Sequence, residues 1–375
     1  MKSIIVTTSF ANNYGALLQN FSLKKYLEDK FGMTVQTLDY WPDNAEAVWK
    51  MYYSGRNLRT IVRNVLVFFD YSYRKKMKKR QDMMFSFRKK YLNLTDSCYH
   101  SESEILAESN KYQNTLFFCG SDQIWNTTAY WKDPVYFLNF VKQIKSCKSI
   151  AYAPSITDKW KSEHKEEIKR YLMQLDCISV RENSDVEQVK SLLPSRDVIQ
   201  VIDPVFLQTA EEWDAISNKG IKIEGKYILC YFLGTSPSTV RLVKKVKELT
   251  GLKVVYLNIN YSNPINADIV IREASPIDFV SLIKNAEVVI NNSFHCSAFS
   301  VIFKRNYLVV PKNHANSRMI SLQEMAQISN RLVFDDKIDS LSVNDINVDF
   351  SKTDMAISNI LSDSVNYLKD AVYGK

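Results

Sequence analysis

Short β-branched and apolar runs alternate with segments of helical period along most of this chain, and that alternation limits its fold more than any other feature. Ser3–Thr8 reads as a first strand, followed by a turn at Ala11–Gly15 and a helix from Ala16 to Lys30. Thr34–Asp39, Thr115–Cys119, Lys148–Ala153, Cys177–Val180 and Val198–Ile202 read as further strands, with helical patterns at Lys159–Met173 and Ser184–Leu193. Strands separated by helices at this spacing build a parallel sheet covered on both faces. The pattern pauses near Thr209–Gly225 and restarts with strands at Tyr227–Phe232, Lys253–Leu257, Glu287–Asn291 and Asn306–Val310. The helices of this second half fall at Ser238–Leu249, Pro276–Asn285, Phe294–Phe303 and Ser317–Gln327. The expected fold class is therefore α/β. It has two Rossmann-like domains facing across a cleft, at residues 1–208 and 209–350, and a C-terminal helix over 351–375. Residues 45–110 break the alternation and read as a mostly helical insertion in the N-terminal domain.

A chain of 375 residues with 46% hydrophobic and 24% charged residues is globular and can bury two cores, which excludes a disordered or fibrous protein. Its charge is uneven. Between Gly55 and Lys90 stand twelve Lys/Arg against two Asp/Glu, so this segment carries +10 of a total of +8 and the remainder sums to −2. The six cysteines form no C-x-x-C pair and the four histidines are scattered, so neither structural disulfides nor an all-protein metal site is expected. Met1–Thr8 is too short to read as a signal peptide, and no apolar stretch approaches the ~18 residues of a spanning helix, so a cytoplasmic protein is expected.

Five stretches carry groups that bind or react. Asn12-Asn13-Tyr14-Gly15 follows the first strand with a single glycine, which does not support a dinucleotide cradle. It reads either as a substrate-contacting loop or as a helix start capped by Asn. Gly120-Ser121-Asp122-Gln123-Ile124-Trp125-Asn126 leaves an apolar strand with a dense set of polar groups and one indole. That combination holds sugars, with carboxylate and amides on hydroxyls and the aromatic face on the ring; the alternative is a polar turn with a core Trp. Arg181 follows a buried strand and offers a planar cation to a carboxylate or phosphate, or pairs locally with Glu182. Asn291-Asn292-Ser293-Phe294-His295 joins a strand to an apolar helix with Ser293 at the N-cap. His295 then sits in the first turn, where backbone N–H groups and the dipole favour an anion, as a candidate general acid. Arg318, at the next helix start beside His314, is a second candidate cation for that anion.

Taken in order, several stretches resemble the polysaccharide pyruvyl transferase family. They are Asn13–Gln19, Gly120–Asn126, Ala151–Ser155, Ser179–Glu182, Asp203-Pro204-Val205, Ser293-Phe294-His295 and Asn316-Ser317-Arg318. The resemblance implies a GT-B-like fold and transfer of pyruvate from phosphoenolpyruvate to two hydroxyls of a sugar in a capsule, an exopolysaccharide or a lipid-linked precursor, as a ketal. Under it His295 is the acid, and Asp122 is the base. Arg181, Ser293 and Arg318 face the donor. Asn13, Tyr14, Gln123, Trp125 and Asn126 face the acceptor, and neither metal nor other cofactor is needed. Many members carry an arginine two residues before the histidine. Ser293 stands there in this chain, leaving Arg318 or Lys304-Arg305 as the substitute.

Two other functions fit the same fold: a sugar-nucleotide-dependent glycosyltransferase, and a catalytically silent sugar-binding protein of an assembly complex. The basic segment is either a solvated helical face or a peripheral contact with the inner face of the membrane, where Val65–Phe69 would enter the interface. No nucleic-acid-binding motif accompanies it.

Overall fold

The computed structural model describes residues 1–43, 45–55, 57–127, 133–157, 159–312 and 316–374. Its strands are β1 (Lys2–Val6), β2 (Thr34–Tyr40), β3 (Leu94–Tyr99), β4 (Thr115–Cys119), β5 (Lys148–Ala151), β6 (Cys177–Val180), β7 (Val198–Gln200), β8 (Tyr227–Tyr231), β9 (Lys253–Leu257), β10 (Ile269–Ile271), β11 (Val288–Asn291) and β12 (Asn306–Val309). Its helices are α1 (Tyr14–Phe31), α2 (Leu58–Phe69), α3 (Tyr71–Tyr91), α4 (Glu102–Ala107), α5 (Lys165–Met173), α6 (Asn183–Leu192), α7 (Ala210–Ser217), α8 (Pro237–Thr250), α9 (Pro276–Lys284), α10 (Phe294–Ile302), α11 (Ser317–Met325), α12 (Val343–Ile346) and α13 (Thr353–Tyr373).

The chain forms two compact units. The first holds Met1–Ala45, Arg88–Gln208 and Asp354–Lys375; the second holds Glu46–Phe87 and Thr209–Thr353. This division differs from the sequence expectation in two places. The helical insertion belongs to the second unit, because Val67, Tyr73 and Met77 of α2 and α3 bury themselves with Met51 and Tyr261. The C-terminal helix belongs to the first unit: the Tyr367 hydroxyl donates to the Ala151 carbonyl at 2.7 Å, and the Ile202 N–H donates to Ser364 Oγ at 2.8 Å.

In the first unit seven parallel strands lie in the order β3-β2-β1-β4-β5-β6-β7. The strand order reverses between β1 and β4, where Val6 stands opposite Cys119. In open α/β sheets such a reversal opens a crevice beyond the C-terminal strand ends. The residues leaving those two strands are the Asn13 loop and the Gly120–Asn126 stretch. Asn13 fixes the start of α1 by accepting from the Gly15 and Ala16 N–H groups at 2.9 and 3.3 Å, and Gly32 closes it at φ 61°.

The second unit repeats the plan with five parallel strands, β10-β9-β8-β11-β12. Its reversal lies between β8 and β11, where Tyr231 stands opposite Asn291. Both faces of these strands are buried, which is why they read as continuous apolar runs. Ser236 and Ser275 start α8 and α9 with reciprocal capping bonds, each followed by a proline in the first turn.

Candidate functional site

In the first unit the site begins at Gly120. Its φ is +126°, and a Cβ there would lie 1.9 Å from the Tyr152 carbonyl oxygen, so only glycine permits this passage off β4. Ser121 then turns inward. Its N–H donates to Gln19 Oε1 at 3.0 Å and its hydroxyl to the Ala153 carbonyl at 2.9 Å and Asp203 Oδ2 at 3.1 Å. Asp122 adopts φ +68° and remains half-buried, while its carbonyl accepts the Ser155 N–H at 2.9 Å. Gln123 is also half-buried, and its Oε1 accepts Asn126 Nδ2 at 2.9 Å.

Three expectations for this unit are corrected. Trp125 is fully buried and stacks on Phe137 at 5.2 Å with its ring N–H on the Tyr136 carbonyl, so it is a core residue and offers no sugar platform. Tyr14 is equally buried, so of the Asn13-Tyr14 pair only Asn13 keeps exposure, and its side chain caps α1. Arg181 does not open onto a crevice. Its side chain is 2% exposed, with Nε donating to Glu182 Oε1 and Nη1 to Asp203 Oδ2, both at 2.8 Å. Burial disfavours the charged guanidinium, but Glu182 and Asp203 more than offset it and hold the proton. Burial, and then Glu182, pushes the neighbouring Asp185 carboxyl up to about 9, so it is protonated at neutral pH. One cation against two carboxylates leaves this cluster net negative, the wrong sign for an anionic donor.

In the second unit the exits of β8, β11 and β12 lie side by side, since these strands are neighbours. Asn292 ties two of them together: its Oδ1 accepts the Leu233 N–H and its Nδ2 donates to the Gly234 carbonyl, each at 2.8 Å. Asn291 Oδ1 accepts the Ser293 N–H at 2.9 Å and the Ser297 hydroxyl at 3.1 Å. Ser293 holds the N-cap position of α10 yet makes no capping bond with its side chain, so that part of the expectation fails. His295 lies buried in the first turn of α10, edge-on to Phe294.

Beyond β12, Asn316 clamps the turn: its Oδ1 accepts the Lys312 N–H at 2.9 Å and its Nδ2 donates to the Lys312 carbonyl at 2.7 Å. Arg318 is buried in the first turn of α11. Burial, and then the Arg318 charge, pulls the Lys312 ammonium down to about 8. Two cations that act on each other's charge in a largely buried place suit a bound anion. Lys312 escaped the sequence reading because a single lysine two residues after a strand has no pattern; the strand order, which makes its turn a neighbour of His295, supplies the signal. Lys304 and Arg305 precede β12 and so sit at its opposite end. Four strand residues at about 3.3 Å each put them roughly 13 Å from the Lys312 edge, too far to replace a donor contact there. His314 lies outside the described residues. Among the described residues no cluster of His, Cys, Asp and Glu could hold a metal ion.

Solved structures that match the chain include three at low identity. UDP-GlcNAc 2-epimerase from Neisseria meningitidis bound to UDP-GlcNAc is 10% identical with a TM-score of 0.49, covering 97% of this chain and 94% of that one. The glycosyltransferase SnogD from Streptomyces nogalater is 10% identical with a TM-score of 0.47, covering 100% and 98%. The E. coli heptosyltransferase WaaC with ADP-2-deoxy-2-fluoro heptose is 10% identical with a TM-score of 0.38, covering 84% and 89%. No curated protein matches the chain. The family model for polysaccharide pyruvyl transferase matches residues 13–311, well over half the sequence, including Gly120–Asn126 and His295; Lys312, Asn316 and Arg318 lie beyond it. The chain belongs to the polysaccharide pyruvyl transferase family.

Proposed function

We propose that the protein transfers pyruvate from phosphoenolpyruvate to two hydroxyls of one sugar, forming a ketal. The observation that carries this reading is the Lys312–Arg318 cation pair at the β12 exit, beside the β11 exit that bears His295. Phosphoenolpyruvate carries a carboxylate and a phosphate, and two closely held cations match that demand better than one. His295 donates a proton to the methylene carbon, which makes C2 electrophilic. One sugar hydroxyl adds to C2 and loses its proton, and the C2–O bond to phosphate breaks. The second hydroxyl then adds to C2 and closes the ketal. Of the two hydroxyl protons, one restores His295 and the other leaves with the phosphate. Asp122 is the candidate to take up a hydroxyl proton and pass it on, with Gln123 and Asn13 as candidate acceptor contacts, since these three keep part of their surface exposed, whereas Asn126 is buried.

Phosphate release from phosphoenolpyruvate, measured with a panel of lipid-linked and nucleotide-linked sugars, tests the reading. His295→Ala is expected to lower turnover by ~10²–10⁴-fold while phosphoenolpyruvate still raises the melting temperature. Normal turnover in that variant removes His295 from the chemistry. Thermal stabilisation by a nucleoside diphosphate sugar, with no phosphate release from any acceptor, identifies a glycosyltransferase instead.

A further inference from the structure

The helix α2 presents its apolar stripe to solvent. Leu58, Ile61, Val62, Val65, Leu66 and Phe69 follow the i, i+3, i+4, i+7 spacing of one helix face. A stripe of this kind normally covers a core. Here the six residues are 76, 48, 48, 49, 51 and 77% exposed. Only Val67 of this helix is fully buried, in the small cluster with Tyr73 and Met77 that fastens α2 to the second unit. Phe68 and Tyr71, at the end of the stripe, are exposed as well, at 57 and 68%. Leu58, Val62 and Leu66 also line an open groove of about 640 Å³ against Gly234 and Tyr261.

Exposed cations stand on the same helix and on the next. Arg59 and Lys75 are exposed and Lys78 and Lys79 keep 68 and 59% of their side chains in solvent, while Arg80 and Arg88 of the same basic segment are buried. A second copy of the chain would bring its own exposed α2 and α3 cations against those of the first, so self-association through this segment is opposed by charge. We propose that α2 docks the protein on an anionic lipid surface. Its apolar stripe enters the headgroup boundary and the α2–α3 cations face the lipid phosphates and carboxylates. At twelve residues α2 is ~18 Å long, and no helix among the described residues is long and apolar enough to cross a membrane, so the contact is peripheral. The proposal is independent of the reaction assigned above.

Flotation of the full chain decides it. The probes are vesicles of phosphatidylcholine alone and of phosphatidylcholine with phosphatidylserine in equal parts. The protein is expected to float with the mixed vesicles at low salt, to be released as the screening length falls to ~3 Å near 1 M salt, and to stay in solution with phosphatidylcholine alone. Val65→Asp with Phe69→Asp is expected to lower the bound fraction ~10-fold or more at unchanged melting temperature, because both positions are exposed. Lys75→Glu with Lys78→Glu is expected to lower it on the mixed vesicles. Absence of flotation, equal flotation on both compositions, or full binding by the Val65/Phe69 variant overturns the proposal. A dimer in solution that the same variant dissolves also overturns it, with a second copy as the occupant.

Discussion

Lys312 is held where its charge costs the folded chain stability, and that cost has a sign and a window. Burial and Arg318 lower its pKa to about 8, against an ordinary lysine value of 10.5. Between those two values the unfolded chain binds the proton and the folded chain does not, so this residue makes stability rise with pH from about 8 to 10.5. Lys312→Met is therefore expected to raise the melting temperature of the ligand-free protein by a few degrees at pH 7. It should also weaken phosphoenolpyruvate binding ~10–100-fold, the worth of one charged hydrogen bond. Thermal unfolding with and without donor reads both effects; a variant that loses stability and keeps donor affinity would leave Lys312 with a packing role only. In the wild type, donor affinity is expected to fall as pH rises through about 8.

Arg181 leads to the opposite expectation. With Glu182 and Asp203 both almost fully buried against it, Arg181→Met leaves two carboxylates without their cation. Breaking a buried pair in this way costs about 3–5 kcal/mol, so the urea midpoint should drop sharply. If the arginine instead served the donor, the midpoint would hold and the KM for phosphoenolpyruvate would rise. The polar stretch from Gly120 to Asn126 misleads at this scale for a related reason. Its side chains look like a ligand-binding set, but the Ser121 hydroxyl and the Trp125 ring N–H turn onto backbone carbonyls and the indole fills the core. Only Asp122 and Gln123 keep part of their surface exposed, and nothing in the spacing separates them from Trp125.

At the scale of elements, legibility followed burial. The central strands β1, β4, β8 and β11 are apolar on both faces and were visible as runs of Ile, Val, Leu and Phe. The sheet-edge strands β3 and β10 were not. Leu94-Thr95-Asp96-Ser97-Cys98-Tyr99 has no apolar run, its pairing with β2 shifts register, and it was absorbed into the expected helical insertion. The helix expected from Lys159 begins at Lys165, after a short 3-10 turn at Ser162–His164. Both crevices nevertheless fall on stretches singled out for their chemistry, because a strand that ends at a topological reversal must leave through a loop. The β4 exit tests how tightly such a loop is fixed. Gly120→Ala forces a methyl group onto the Tyr152 carbonyl at a φ that alanine rarely adopts. The variant is expected to lose several degrees in melting temperature. An unchanged transition would mean that the backbone just past β5 yields at Tyr152.

At the scale of the molecule, the net charge of +8 resolves into a local property: the basic excess lies in the segment Gly55–Lys90, which falls in the second unit up to Phe87 and in the first from Arg88, and the remainder is nearly neutral. The helices of the insertion could be read from sequence, but their allegiance could not. What binds them to the second unit is a contact between Val67, Tyr73, Met77 and Tyr261, nearly two hundred residues apart, which no local pattern records.

The return of α13 to the first unit sets an order of assembly. All residues of the second unit have been made once Thr353 is added, whereas the first unit still lacks the helix that receives the Ile202 N–H and reaches the β5 edge through Tyr367. During synthesis the first unit is completed after the second, although most of its residues are made earlier. A chain ending at residue 353 is expected to keep a cooperative transition from the second unit and to lose one from the first, measured by hydrogen exchange at β5 and β7 against β8 and β11. Equal protection in both sheets would show that the first unit closes without its final helix.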